Sequence, residues 1–269
     1  MTVEVHGLRE FYATPGGALA AQLVRDRLAA LWPALPGMAV LGLGHTAPYL
    51  GLWRAEAHLC VALTPAGMAE PSPWPAPPTP NCALAAEEDA LPFADSSFDR
   101  VLLVHALEGA GRARRLLREV WRVLRDDGRL LVVVPNRAGM WAHLDRTPFG
   151  HGQPYSAGQL ERLLARHLFR AERRDAALFV PPYGLRFMGA IAPGWEQLGR
   201  AVAPRLAGLA MVEAEKDLFS AMPAGAVSVT RRVLMPVRMG AARASTDDQP
   251  SPAKVPGCTP MPQPPRPMA

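Results

Sequence analysis

Four short apolar blocks recur along this chain, each too short for a buried helix and each closed by a residue that breaks regular structure. Residues 38–43 (Met-Ala-Val-Leu-Gly-Leu) end in Gly44, 58–63 run into Thr64-Pro65, 100–105 lead to a polar turn, and 129–134 stop at Pro135. Continuous apolar runs of this length, without polar alternation, are the mark of strands covered on both faces, as in parallel sheets. The segments between them carry apolar residues at helical spacing. In 113–124, Leu116, Leu117, Val120, Trp121, Val123 and Leu124 form one stripe, with Gly128 placed to cap the helix. An earlier helix is signalled by Thr14 as N-cap, Pro15 in its first turn and the face Leu19, Leu23, Leu28 and Leu31. A further short helix is expected over 47–53. Ser156 and Gln159 form a capping box that opens another helix over 159–167. Later strands are expected at 176–180 and 209–214, on either side of a helix at 195–202.

Strands alternating with helices predict an α/β fold: a Rossmann-like, doubly wound, mainly parallel seven-stranded sheet with helices on both faces. Ligands of such sheets bind at the carboxyl ends of the strands, near the switch point. Here that means 44–48, 63–65, 87–91 and 105–108.

Composition bounds the rest. At 269 residues, with 49% hydrophobic and 20% charged side chains, the chain can build one large core without cross-links. Six of its 29 prolines fall between Pro71 and Pro80, so 65–80 reads as a stiff excursion from a domain spanning residues 1–238. Residues 239–269 are rich in Pro, Ala and Ser with few large apolar side chains, and read as a disordered tail. The three cysteines Cys60, Cys82 and Cys258 make no metal-ligand spacing, so a reducing cytoplasm and no metal site are expected. The N-terminus lacks the pattern of a signal peptide, and no apolar run reaches the length of a membrane span. The net charge of +5 comes from arginines spread beside acids, with no aromatic platform, which argues against nucleic-acid binding. Glu213 and Lys216 read as a surface pair. Oligomeric state leaves no trace in the sequence.

One pattern is longer and more specific. Glu87 precedes Leu91-Pro92-Phe93, then Asp95, Phe98-Asp99 and Val101 follow, then a strand, a helix, Asp126-Asp127-Gly128-Arg129-Leu130 and another apolar strand. This resembles the class I S-adenosylmethionine-dependent methyltransferases, specifically the small-molecule, type 11 group, over roughly residues 8–215. The resemblance implies S-adenosylmethionine as cofactor and a small-molecule methyl acceptor. It implies cofactor contacts from Glu87 and Glu88 at the adenine, Leu91 beside them, Thr64 near the ribose, Gly42 and Gly44 under the backbone approach, His105 on the methionine side, and Tyr12 as an aromatic cap. It also makes the loop after the fifth strand the acceptor site, with Asn136, Phe149 and Tyr155 as contacts and His151 as the candidate general base. His105 and Tyr12 also admit plain packing, and His151 and Tyr155 also admit hydrogen bonding of the loop to itself. Two departures stand out: Gly42 sits where the family carries a carboxylate, and 62–65 (Ala-Leu-Thr-Pro) has no acid for the ribose. Two functions therefore follow from the sequence, a methyltransferase or a methyltransferase-like binding or regulatory protein without catalysis. If 239–269 is a tail, deleting residues 240–269 shifts the melting temperature by less than about 2 °C in a thermal melt; a larger fall shows that it docks.

Overall fold

The computed structural model describes residues 3–66, 68, 73–108, 113–143, 147–150, 152–182, 189 and 191–218. The chain divides into two units, Met1–Ala224 and Gly225–Ala269, and every described residue belongs to the first. The expected tail lies outside the described residues.

Seven strands form one sheet: β1 (Ala39–Gly44), β2 (Leu59–Pro65), β3 (Ala83–Ala86), β4 (Phe98–Val104), β5 (Leu124–Pro135), β6 (Phe169–Ala177) and β7 (Leu209–Lys216). Their order is β3-β2-β1-β4-β5-β7-β6. Strands β1 to β5 pair in parallel, while β7 runs antiparallel to both β5 and β6. The switch point falls between β1 and β4, where the order turns back on itself.

Helices α2 (Pro15–Leu31) and α4 (Ala113–Val123) cover opposite faces, because alternate strand residues point to opposite sides. Val40, Leu102, Leu131 and Val133 pack with Leu23, Leu28 and Trp53, whereas Leu41, Leu43, Leu103 and Val132 pack with Leu116, Leu117 and Leu160. Thr14 caps α2 as expected, its hydroxyl accepting from Gly17 N, and Ser156 and Gln159 close both arms of the capping box on α5 (Ala157–Arg166).

Several elements differ from expectation. A helix α1 (Val3–Ala13) precedes α2. The helix expected over 47–53 shrinks to α3 (Ala47–Leu50). Helix α4 stops at Val123 without a glycine cap, because Ser96 N and Ser97 N donate to the free carbonyls of Arg122 and Val123, and Leu124 already pairs with Phe98 as β5. The strand expected at 176–180 is instead β6, exposed along most of its length as an edge strand. Glu213 and Lys216 are not a surface pair. Both are buried; Glu213 accepts from Trp32 Nε1 at 2.8 Å, and Lys216 pairs with Asp126 at 3.1 Å while lying over the Trp121 ring. The last helix is α6 (Ala192–Val202).

The recognised segment after Glu87 turns out to be the entry to β4. Phe93 meets Phe98 edge to face at 4.9 Å, and Asp99 accepts from Ala39 N at 2.8 Å and from Arg125, stitching β4 to the start of β1. Arg122 donates to the carbonyls of Leu91 and Phe93 and to Asp95, and its guanidinium also binds Glu119. Glu119 in turn accepts from Leu91 N at 3.0 Å. The Arg122 hydrogen bond holds the Glu119 carboxyl below its ordinary range; burial opposes this, and the Leu91 N–H and the charges of Arg122 and Arg118 add to it. A depressed carboxyl contributes stability above its unfolded value of about 4.3 and loses it as pH falls through the folded value. Glu119→Gln should therefore lower stability near neutral pH by about 1 kcal/mol and flatten the acid limb of a denaturation series below about pH 4.5; an unchanged acid limb refutes the assignment.

Candidate functional site

The site grows from the contact between the ends of β1 and β4. Gly44 adopts φ +88°, and a Cβ there would lie 2.3 Å from the carbonyl oxygen of Val104. Only glycine fits both the left-handed backbone and the contact. The turn that results lets His45 N donate to Val104 O at 2.8 Å and brings the two residues after the strands, His45 and His105, side by side. His105 itself is left-handed, at φ +53°. A non-glycine residue in this region stores roughly 1 kcal/mol of strain and directs attention to a functional role.

Tyr12 arrives from the end of α1. Gly17 makes this possible, since a side chain there would run into the Phe11 carbonyl at 2.0 Å. The Tyr12 ring stacks on His45 with centroids 4.5 Å apart, and its hydroxyl lies 3.2 Å from His105 Nε2. His105 Nδ1 lies 3.2 Å from Glu108 Oε1. Phe149, fully buried, abuts the His105 ring at 5.3 Å and meets Phe11 and Trp141 edge to face. Beyond it, Gly152 packs against Glu108, Gln153 N donates to Glu108 O, and the Tyr155 hydroxyl donates to Leu107 O.

Burial shapes the ionisation of this cluster. It holds His45 down to about 3, helped by the charges of His105 and Arg9. It also raises the Tyr12 phenol, with Tyr49 and the Glu108 charge adding to the shift, and pushes the Tyr49 phenol up to about 12. Four buried polar atoms here have no hydrogen-bond partner among the described residues: His45 Nε2, Thr46 Oγ1, Tyr49 Oη and Glu108 Oε2. Buried polar groups in folded proteins are nearly always satisfied, so a group of exceptions at one set of strand ends calls for an explanation, which a bound ligand would supply.

The other expected residues follow the same edge of the sheet. Thr64 stands half-buried at the end of β2, opposite Ala85 of β3. Glu87 is exposed and Glu88 half-buried directly after β3, and Leu91 is buried. Gly44 and His105 close β1 and β4, so four successive strand ends carry expected residues. At Gly42 the close neighbour is the chain itself: a Cβ would lie 2.4 Å from Thr46 Oγ1 and 2.7 Å from Leu50 Cδ1. Asn136 ties loops together, donating to the carbonyls of Arg205 and Ala207 and accepting from Ala138 N, while its backbone bridges Tyr155. Tyr155 also lines a cleft of about 620 Å³ whose cationic wall is Arg137, Arg162 and Arg166. His151 lies outside the described residues. His45 and Thr46 fall in the expected stretch 44–48 but were not singled out as site residues, and Tyr49 lies just beyond it; their only sequence signal is a place in the first turn after β1. Among the described residues no group of acids, histidines and cysteines could hold a metal, and no helix is long and apolar enough to cross a membrane.

Residues 42–132, from β1 into β5, match the model of the methyltransferase domain family. An uncharacterized protein of Mycobacterium tuberculosis is 34% identical over 101 residues, 35% of this chain and 35% of that protein, and one of Mycobacterium bovis matches to the same extent. The match thus spans about a third of the length of these curated relatives. Among solved structures, a Thermotoga maritima S-adenosylmethionine-dependent methyltransferase, described as a possible histamine N-methyltransferase, superposes with a TM-score of 0.53 at 17% identity, covering 77% of this chain and 94% of that one. The putative methyltransferase in complex with the Haloferax volcanii Trm112 activator gives 0.53 at 17%, covering 78% and 97%. These structural likenesses are of fold. Residues 42–132 thus resemble the methyltransferase domain family, and the seven-stranded sheet with one reversed strand is the fold of these solved methyltransferases.

His45 has a depressed folded value, so it contributes stability above its unfolded value of about 6.5 that is lost as pH falls toward 3. His45→Phe, which preserves the stack on Tyr12, should reduce the loss of stability between pH 6.5 and 4 in urea titrations. An identical pH profile in the variant refutes a buried, neutral His45.

Proposed function

We propose that this chain is an S-adenosylmethionine-dependent methyltransferase acting on a small molecule. The observation that carries the reading is the set of unpartnered buried polar atoms at the ends of β1 and β4, at the switch point where this fold takes its ligands. A bound cofactor supplies a methyl group already activated on a sulfonium, so the protein's work is to bind, orient and exclude water.

The residues present fit that cofactor. Thr46 Oγ1 and His45 Nε2 offer hydrogen-bonding groups at the end of β1. Thr64 on β2 is placed to meet a ribose hydroxyl. Glu87, with Glu88 and Leu91 beside it, is placed for the adenine end, and Tyr12 and His105 for the methionine end. Phe149 and Tyr155 stand on the acceptor side, with Asn136 holding their loop and His151 a candidate base within it. Gly42 and Thr64 replace carboxylates usual in the family, so the grip on the cofactor rests on neutral groups. Each lost charge-assisted bond weakens binding by about tenfold or more.

A second reading, a methyltransferase-like binding module without catalysis, draws on one observation: Thr46 and Leu50 fill the space above Gly42. Calorimetric titration with S-adenosylhomocysteine separates the two. The methyltransferase reading expects measurable heat and a raised melting temperature at about 1 mM ligand, with Glu87→Gln weakening binding about tenfold. Absence of both signals at that concentration sinks it.

A further inference from the structure

The His105 cluster holds more polar machinery than is needed to fasten α1 to the sheet. Packing of Phe11 against Trp141 and Phe149 already does that. Beyond it, the chain places a histidine that is 5% exposed in a left-handed conformation, sets a carboxylate beside one ring nitrogen and a phenol beside the other, and leaves Glu108 Oε2 buried without a partner. An unsatisfied buried carboxylate oxygen costs about 1–3 kcal/mol, a cost that simple packing would not require.

The chemistry of the partners sets the direction of the bonds. An ionised carboxylate only accepts, so His105 Nδ1 carries the proton and donates to Glu108. Nε2 is then bare and accepts from the Tyr12 hydroxyl. The Tyr12 oxygen, with the Tyr49 hydroxyl beside it, keeps a lone pair able to accept a hydrogen bond.

Building on the methyltransferase reading, we propose that Tyr12, His105 and Glu108 form a proton relay that deprotonates a hydroxyl acceptor, which makes this domain an O-methyltransferase. As the acceptor oxygen forms its bond to the methyl carbon, the bond from that carbon to sulfur breaks and its electron pair stays on sulfur. The acceptor's hydroxyl proton passes to the Tyr12 oxygen while the Tyr12 proton passes to His105 Nε2. Glu108 balances the imidazolium that results, which gives its second oxygen a purpose. His45, kept neutral by burial, adds no opposing charge beside it. The raised Tyr12 phenol keeps its proton at neutral pH until the acceptor's proton arrives. Of the common methyl acceptors a hydroxyl gains most from such a relay. A thiol ionises readily near neutral pH and an amine attacks with its own lone pair.

The test uses the full chain labelled with ¹⁵N-histidine, the His105 ring being assigned by its loss in His105→Gln. The expected result is a protonated Nδ1 and a bare Nε2, with Tyr12→Phe moving only the Nε2 resonance and Glu108→Gln populating the other tautomer. A protonated Nε2 in the unmodified protein overturns the relay. In parallel, transfer of labelled methyl from S-adenosylmethionine is followed on catechol, 2-mercaptoethanol and histamine. O-methylated catechol is expected, with kcat falling about 10²-fold in Tyr12→Phe and KM little changed. Products only on sulfur or nitrogen, or an unaltered kcat in the variant, overturn the proposal. Calorimetry with S-adenosylhomocysteine on the same samples keeps the two levels apart. Binding together with a protonated Nε2 sinks the relay alone, whereas absence of binding removes the methyltransferase reading beneath it.

Discussion

Everything at the candidate site depends on the absence of a side chain at Gly44. Strands β1 and β4 are neighbours in the sheet but far apart in sequence, and the chain leaves them toward different helices. For the turn after β1 to lie flat on the end of β4, its backbone must come within touching distance of the Val104 carbonyl, where a Cβ would sit at 2.3 Å. That proximity sets His45 beside His105, and Tyr12 stacks on the first while its hydroxyl reaches the second. The glycine therefore acts through the chain's own packing, bringing two histidines and a tyrosine to one point.

A second constraint is electrostatic. Arg122 gathers the carbonyls of Leu91 and Phe93 together with Asp95 and Glu119, and Asp99 accepts from the first residue of β1. The segment after Glu87 is thus a hydrogen-bonded joint between β3, α4 and β4, and Ser96 and Ser97 at its bend also satisfy the last carbonyls of α4. Its pattern of Leu, Phe and Asp is dictated by that joint. This explains how the segment can carry the resemblance to methyltransferases while standing apart from the polar cluster around His105.

The buried strands were readable because an apolar block between breakers has few alternatives. β3 was not, since four residues of Ala-Leu-Ala-Ala carry little strand signal and the element exists only by pairing with β2. β6 escaped because an edge strand need not be apolar; Arg170, Glu172, Arg173 and Arg174 face solvent. Lys216 and Glu213 looked like surface residues because nothing local announces that Trp32, Trp121 and Asp126 will close over them. At the site, Tyr12, His105 and Phe149 could be named from family resemblance, but His45 and Thr46 look like ordinary turn residues until the sheet is assembled.

The sequence by itself determined the alternation of strands and helices, through short apolar blocks, helical stripes, caps and proline stops. These are local properties, written within a few residues of where they act. Which polar groups meet was decided only by the tertiary structure. Tyr12 and His105 are 93 residues apart and Trp32 and Glu213 are 181 apart, and no local pattern links either pair. Such contacts exist because the strand order, and at the site the left-handed Gly44, bring distant chain segments together.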